Sequence, residues 1–321
     1  MIILFNIGKE LKTTQKNFTA LGTINSITAM GRESKEAIET ACQRVLEIDD
    51  RMSAFKAGSD VMKINSSAGF KAERINRDTF ILLKKSLYFS SVTKGAFDIT
   101  IRPVTSLWDF GNKMNYIPER KQISQALSLV NYNDLELDEI NCTAFLKNKG
   151  QAIDLGSIAK GYAADEVKAI LQQYELNDAL INLGGNIAVM GCSPKGTPWR
   201  IGVQNPFAAT GNYIGTMNLS EGTIVTSGSN EQFFVKDGIR YHHIIDPRTG
   251  YPANQKIMSV TALCDSSVNA DALTSALFVS GIEYARSLLD GFKAEGIFVM
   301  DNQDIYVSDG LRGIFERSSC A

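Results

Sequence analysis

Between Ala179 and Ile245 the chain passes through a series of short β-rich runs, ALINLGG, IAVMG, WRIGVQNP, YIGTMNL, TIVTSG, QFFVKDG and RYHHII, broken by glycine and asparagine turns. Strand follows strand here instead of alternating with helices, so the runs read as a largely antiparallel sheet, not a regular parallel one. Lys236 to Gly238, KDG, is a candidate hairpin turn. Further on, Ser259 to Leu263 reads as a strand, Ala270 to Ser280 as an alanine- and leucine-rich helix, and Gly296 to Met300 with Gln303 to Ser308 as a closing pair of strands.

Helical spacing dominates the first part. Ala37, Ile38, Ala41, Val45, Leu46 and Ile48 recur near the helical period between Glu33 and Phe55, with charges between them. A second helix is expected from about Arg77 to Thr93 around Phe80, Leu83, Leu87 and Phe89, and a third from Pro118 through Leu129, with Pro118 suited to a first turn. The class is therefore α+β, a largely antiparallel sheet with packed helices. No repeat, low-complexity tract or linker divides it, so residues 1–321 read as a single unit, and the polar region 112–148 is where a boundary between lobes is expected.

A chain of 321 residues with 44% hydrophobic content can bury a core without disulfide staples. Lysine plus arginine number 33 against 35 acidic residues, with no block of like charge, so a nucleic-acid-binding surface is not indicated. Five cysteines, Cys42, Cys142, Cys192, Cys264 and Cys320, are odd in number and never paired as CxxC, which argues against a disulfide framework or a zinc site. The opening MIILFNIGKE lacks the pattern of a signal peptide, and no window approaches the roughly 20 apolar residues of a membrane span. A cytoplasmic location is the expectation.

Four polar or glycine-rich segments are candidates for chemistry. In GAFDITIRP (95–103), Asp98 either caps the helix that follows or serves a flat ligand lying over Phe97. In IDLGSIAKGYAAD (153–165) a short strand enters a helix through small residues: a plain tight turn, or a helix start offering free N–H groups to phosphate oxygens, with Lys160 adding positive charge. INLGGNIAVMG (181–191) is a strand–turn–strand or a backbone surface for a nucleotide. In ADALTSALF (270–278), Asp271 and Ser275 are four residues apart and share a helix face. A carboxylate and a hydroxyl so placed suit a hard cation, though such a pair also occurs as an N-terminal cap with a solvated neighbour.

The only two histidines stand side by side in YHHIIDPRTGYP (241–252). Side chains alternate along a strand, so His242 and His243 should point to opposite faces, and only one can work in a site. Asp-Pro-Arg-Thr-Gly is a rigid turn that would fix its angle.

Taken in order, LGT (21–23), MSAF with INSSAG, GAFDITIRPVTSLWDFG, IDLGSIAKGYAAD, LINLGGNIAVMG, SGSNEQFF, HIIDPRTGYPA and ADALTSALF resemble the ApbE family of flavin transferases over most of the chain. The resemblance implies a flavin site in a cleft between two lobes and Mg²⁺-dependent transfer of FMN from FAD to a Ser/Thr hydroxyl of a redox protein, with release of AMP. It implies that His243 is catalytic, that Asp271, Ser275 and the carbonyl of Ser157 hold the metal, and that Leu21, Phe55, Ala96, Phe97, Asp98, Asp154 and Lys160 contact FAD. Ser275 stands where the family usually has threonine, and Leu21 where it often has methionine. Two other readings remain open from the sequence: a metal-dependent FAD pyrophosphatase giving FMN and AMP, and an FAD carrier without chemistry.

Overall fold

The computed structural model describes residues 12–108, 110 and 116–318. Along the chain come the hairpin β1 (Thr13–Ala20) and β2 (Thr23–Met30), helices α1 (Ser34–Met52) and α2 (Asp60–Ser66), the short strand β3 (Glu73–Arg74) and helix α3 (Arg77–Val92). The single turn α4 (Arg102–Thr105), α5 (Arg120–Leu127), β4 (Leu135–Asp138), β5 (Thr143–Leu146) and α6 (Ala159–Gln173) follow. Then come β6 (Asp178–Leu183), β7 (Asn186–Met190), β8 (Trp199–Gln204), β9 (Tyr213–Leu219), β10 (Glu221–Gly228), β11 (Phe233–Lys236), β12 (Ile239–His242) and β13 (Ile257–Cys264). Helices α7 (Ser267–Ser280) and α8 (Ile282–Gly291) precede β14 (Glu295–Met300), β15 (Ile305–Val307) and β16 (Phe315–Arg317).

An eight-stranded sheet in the order β1-β2-β6-β7-β10-β13-β14-β15, antiparallel at every pairing, forms the frame. Alternate side chains serve opposite faces. Val225 of β10 and Phe298 of β14 join the core beneath α1, α6 and α7, with Val45, Val167, Leu273 and Leu277. Their neighbours Ile224, Ile297 and Val299 pack instead against Trp199, Ile201 and Met217 of a three-stranded sheet, β16-β9-β8. With both faces covered, β13 is buried at every position except Leu263, its alternating Ser259 and Thr261 included.

The antiparallel α+β expectation holds, and the helices expected at 33–55 and 77–93 form within those limits. Pro118 lies just ahead of its helix rather than in the first turn, because Glu119 is the N-cap of α5 and closes a capping box with Gln122. KDG is the β11–β12 turn, with Asp237 and Gly238 both at positive φ. The edge hairpin β1–β2 is not among the strands the β-rich runs announce. Its first strand, TTQKNFTA, never presents a buried side chain until Ala20, so apolar patterning has little to report. The region 112–148 begins in residues outside the described set and continues as α5, β4 and β5. Cys42, Cys142, Cys192 and Cys264 are free thiols; Cys320 lies outside the described residues. Among the described residues no helix is long and apolar enough to cross a membrane.

A smaller core ties on the histidine segment. Trp108, fully buried, packs with Val104, Ile123, Phe234 and Ile245. Its ring stacks on Tyr241 at 5.8 Å, and its indole N–H donates to the Gly250 carbonyl at 2.9 Å. Phe234 stacks on Tyr241 at 5.1 Å, so the β11–β12 hairpin is held through aromatic contacts and not through the main sheet.

Candidate active site

Helix α6 starts from a loop braced on two sides. The Asn65 amide accepts from the Ile153 N–H at 2.7 Å and donates to its carbonyl at 3.0 Å, while the Asp154 N–H donates to Ile99 at 2.8 Å. Asp154 then accepts from the Gly156 N–H at 2.9 Å and pairs with Arg102 at 3.1 Å. The Arg102 guanidinium lies 4.3 Å from the centre of the Phe55 ring, and that ring is 76% exposed. Phe55, Arg102 and Asp154 thus form one open row. Arg102 was not singled out from the sequence, although it lies within GAFDITIRP; only the fold shows which of that segment's side chains turn outward.

In the first turn of α6, the Lys160 ammonium donates to the Gly156 carbonyl at 3.0 Å and stands 3.8 Å from Asp271 Oδ1 on α7. Asp271 is only 4% exposed, and its Oδ2 accepts from the Gly161 N–H at 2.8 Å. The two helices meet without a gap: a β-carbon on Gly161 would lie 2.4 Å from the Ser267 carbonyl oxygen. Asp271 is therefore not the cap of its own helix. That task falls to Asp165 of α6, which accepts from the Ser267 and Val268 N–H groups at 2.8 and 3.1 Å and from the Ser266 hydroxyl at 3.0 Å. Ser275, one turn beyond Asp271, and Ser157, in the loop before α6, are half-buried. Thr274, between them on α7, is spent on structure, donating to the Asp271 carbonyl and accepting from Ser227 of β10, both at 2.9 Å.

The two imidazoles do face apart. His242 is buried edge-on against Phe278 at 5.4 Å; its Nδ1 accepts from the Ile244 N–H at 3.3 Å, which leaves Nε2–H to donate to the Ala253 carbonyl at 3.0 Å. Burial lowers its pKa from 6.5 to about 4, so it is a neutral structural group. His243 is half-buried and pairs through Nδ1 with the Gln232 carbonyl at 3.3 Å. A carbonyl only accepts, so Nδ1 carries the proton and Nε2 keeps a free lone pair. Desolvation, aided by the positive charge of Lys160, holds His243 below 6.5. The Lys160 charge also acts on Glu231, whose carboxyl is raised by desolvation. Lys160 thus stands between the Gly156 carbonyl and the Asp271 carboxylate. Glu231, in a loop of polar residues, had no sequence signal of its own.

The remaining expected residues have contacts of their own. Asp98 accepts from the Thr100 N–H and hydroxyl at 2.8 and 2.7 Å and from the Tyr132 N–H at 3.2 Å, and burial raises its carboxyl. It holds a turn and does not cap α4. The Phe97 ring is 3% exposed and lies 5.9 Å from Phe89 in the core, so no flat ligand can lie over it as placed; Ala96 is equally buried. Leu21 sits at positive φ in the β1–β2 turn and packs against the main core. None of these is hydrogen-bonded to Lys160, Asp271 or His243 among the described residues. Two surface concavities of about 550 and 510 Å³ lie apart from the cluster, one lined by Lys71, Glu136 and Phe145, the other by Tyr306, Arg312 and Phe315.

The ApbE family profile matches residues 21–298. The chain belongs to the ApbE family. It is similar to the FAD:protein FMN transferase of Klebsiella pneumoniae, 37% identical over 84% of either chain, and to that of Treponema pallidum, 29% identical over 91% of this chain and 85% of the relative. Among solved structures, the ApbE protein of Thermotoga maritima superposes with a TM-score of 0.86 at 32% identity, covering 96% of this chain and 100% of the other. The flavin transferase ApbE of Vibrio cholerae gives 0.85 at 25% identity, covering 95% and 99%.

For this ApbE-family chain a metal site must be drawn largely from neutral oxygens, since among the described residues no three His, Cys, Asp or Glu side chains cluster to hold an ion. The donors fit a hard cation. Asp271 Oδ1 is buried, accepts no hydrogen bond among the described residues and faces a positive charge at 3.8 Å. The Ser275 hydroxyl lies one helical turn along the same face, and the Ser157 carbonyl precedes the first turn of α6.

Proposed function

We propose that the protein transfers the FMN half of FAD to a serine or threonine hydroxyl of a partner redox protein. The acceptor oxygen attacks the phosphorus on the FMN side of the pyrophosphate, the bond from that phosphorus to the bridging oxygen breaks, and AMP leaves. His243 Nε2 takes the hydroxyl proton, and the Gln232 carbonyl holds the imidazole in the tautomer that makes this possible. Lys160 offers its ammonium to the phosphate oxygens. The Phe55–Arg102–Asp154 row gives an exposed aromatic and cationic surface for the flavin end. Asp271, Ser275 and the Ser157 carbonyl would hold Mg²⁺, which neutralises charge on the pyrophosphate when bound.

The observation that carries this reading is the free Nε2 of His243, in a chain whose Lys160 ammonium faces the buried Asp271 carboxylate at 3.8 Å. Mixing the protein with FAD, Mg²⁺ and Ser/Thr-bearing acceptor segments should add the mass of FMN to an acceptor. His243→Ala should cut transfer by on the order of 10²–10⁴-fold and leave FAD bound. Because the working base is neutral and its pKa is depressed, the wild-type rate should persist to lower pH than an ordinary imidazole base would allow before it falls. Rapid release of AMP without any acceptor, and no FMN adduct with one, would falsify transfer and identify a pyrophosphatase. FAD left uncleaved in both mixtures would identify a carrier.

A further inference from the structure

The Lys160 ammonium occupies a telling position. It bonds the Gly156 carbonyl at 3.0 Å, next to the Ser157 carbonyl in sequence, and lies 3.8 Å from Asp271 Oδ1. It therefore bridges the two sides from which an oxygen-liganded cation would be held. Oδ2 already accepts from the Gly161 N–H at 2.8 Å, whereas Oδ1 accepts no hydrogen bond among the described residues and is the oxygen the lysine faces. A divalent ion and the ammonium repel each other there, and the 4% exposure of Asp271 limits screening by water.

We infer that Lys160 is an internal counter-ion that keeps divalent metal off Asp271 until a diphosphate group draws the ammonium away, so that metal and dinucleotide bind as a coupled pair. This rests on the metal and FAD roles proposed above. Such coupling is reciprocal: whatever weakens the lysine's hold on Asp271 tightens the metal in the absence of nucleotide.

The test is nucleotide-free Mn²⁺ binding, read from the loss of the free Mn²⁺ electron paramagnetic resonance signal on titration with protein. Lys160→Met should bind Mn²⁺ on the order of tenfold more tightly than the wild type. Lys160→Gln, which keeps a donor for the Gly156 carbonyl but no charge, should do the same, and Lys160→Arg should not. Adding Asp271→Asn to Lys160→Met should abolish the gain. Mn²⁺ binding that is unchanged or weaker in both neutral variants overturns the inference, as does a gain that survives loss of the carboxylate. Tightened Mn²⁺ in the variants with no FMN transfer by the wild type would sink the transfer reading and leave the competition of Lys160 with metal standing; unchanged Mn²⁺ in the variants with normal transfer by the wild type would do the reverse.

Discussion

Asp271 and Lys160 stand on two long helices inside the main core, whereas His243 follows a two-stranded hairpin that belongs to no larger sheet. On the helical side, position is set by backbone contact: Gly161 lets α6 touch α7, and Asp165 caps the start of α7 from the neighbouring helix. On the hairpin side it is set by ring stacking around Trp108 and by one carbonyl, that of Gln232. The charged half of the site thus shares the stability of the whole fold, while the base rides on a satellite cluster. The seam is crossed by Ile244 and Ala253, which pack into the main core, by His242 against Phe278 and by Arg248 donating to the Val279 carbonyl at 3.1 Å.

If the satellite is a separate unit, it should fail separately. Trp108→Ala empties its centre and should cost about 3–5 kcal/mol. Hydrogen exchange should show the loss in the amides of β11 and β12 while those of β10 and β13 stay protected. Equal loss of protection in both would show that the two regions unfold as one.

Protonating His242 should strain the seam itself. With its folded pKa near 4 and an unfolded value near 6.5, the imidazole is neutral in both states above 6.5. As pH falls through 6.5 the unfolded chain takes up the proton first, so stability drops, by about 3 kcal/mol once pH is below 4. Urea midpoints measured across that range should lose this slope in His242→Gln; an identical slope in the variant would move the effect to other groups.

The smallest expected stability change is on the helical side. Gly161→Ala places a methyl group against the Ser267 carbonyl, a backbone atom that cannot swing aside, and should cost about 1–3 kcal/mol. Because it parts α6 from α7, FMN transfer should fall more than stability does, on the order of a hundredfold for a shift near 1 Å. A variant of normal activity would mean that the site tolerates relative movement of its helices.

Much of this was legible in advance, because it depends on local chemistry. The closely spaced β-rich runs led to the antiparallel sheet, KDG to its turn, and strand alternation to the opposed histidines. Asp271 and Ser275 were paired by helical period alone. Other features carried no local signature. The strands β1 and β2 are polar enough on one side to hide their period, and the burial of Phe97 and Asp98 depends on what packs over them. Arg102 and Glu231 come from segments in which a polar side chain can turn either way.

The sequence by itself determined the class of fold, the family and the side chains available for chemistry, since periodicity, turn residues and ordered motifs are properties of neighbours along the chain. Only the tertiary structure decided that Asp165 caps a helix about a hundred residues away, that Lys160 faces Asp271, and that His243 and not His242 keeps a free nitrogen. Those outcomes depend on distance, burial and the partner each polar atom finds, which are fixed when the helices and the sheet close on one another.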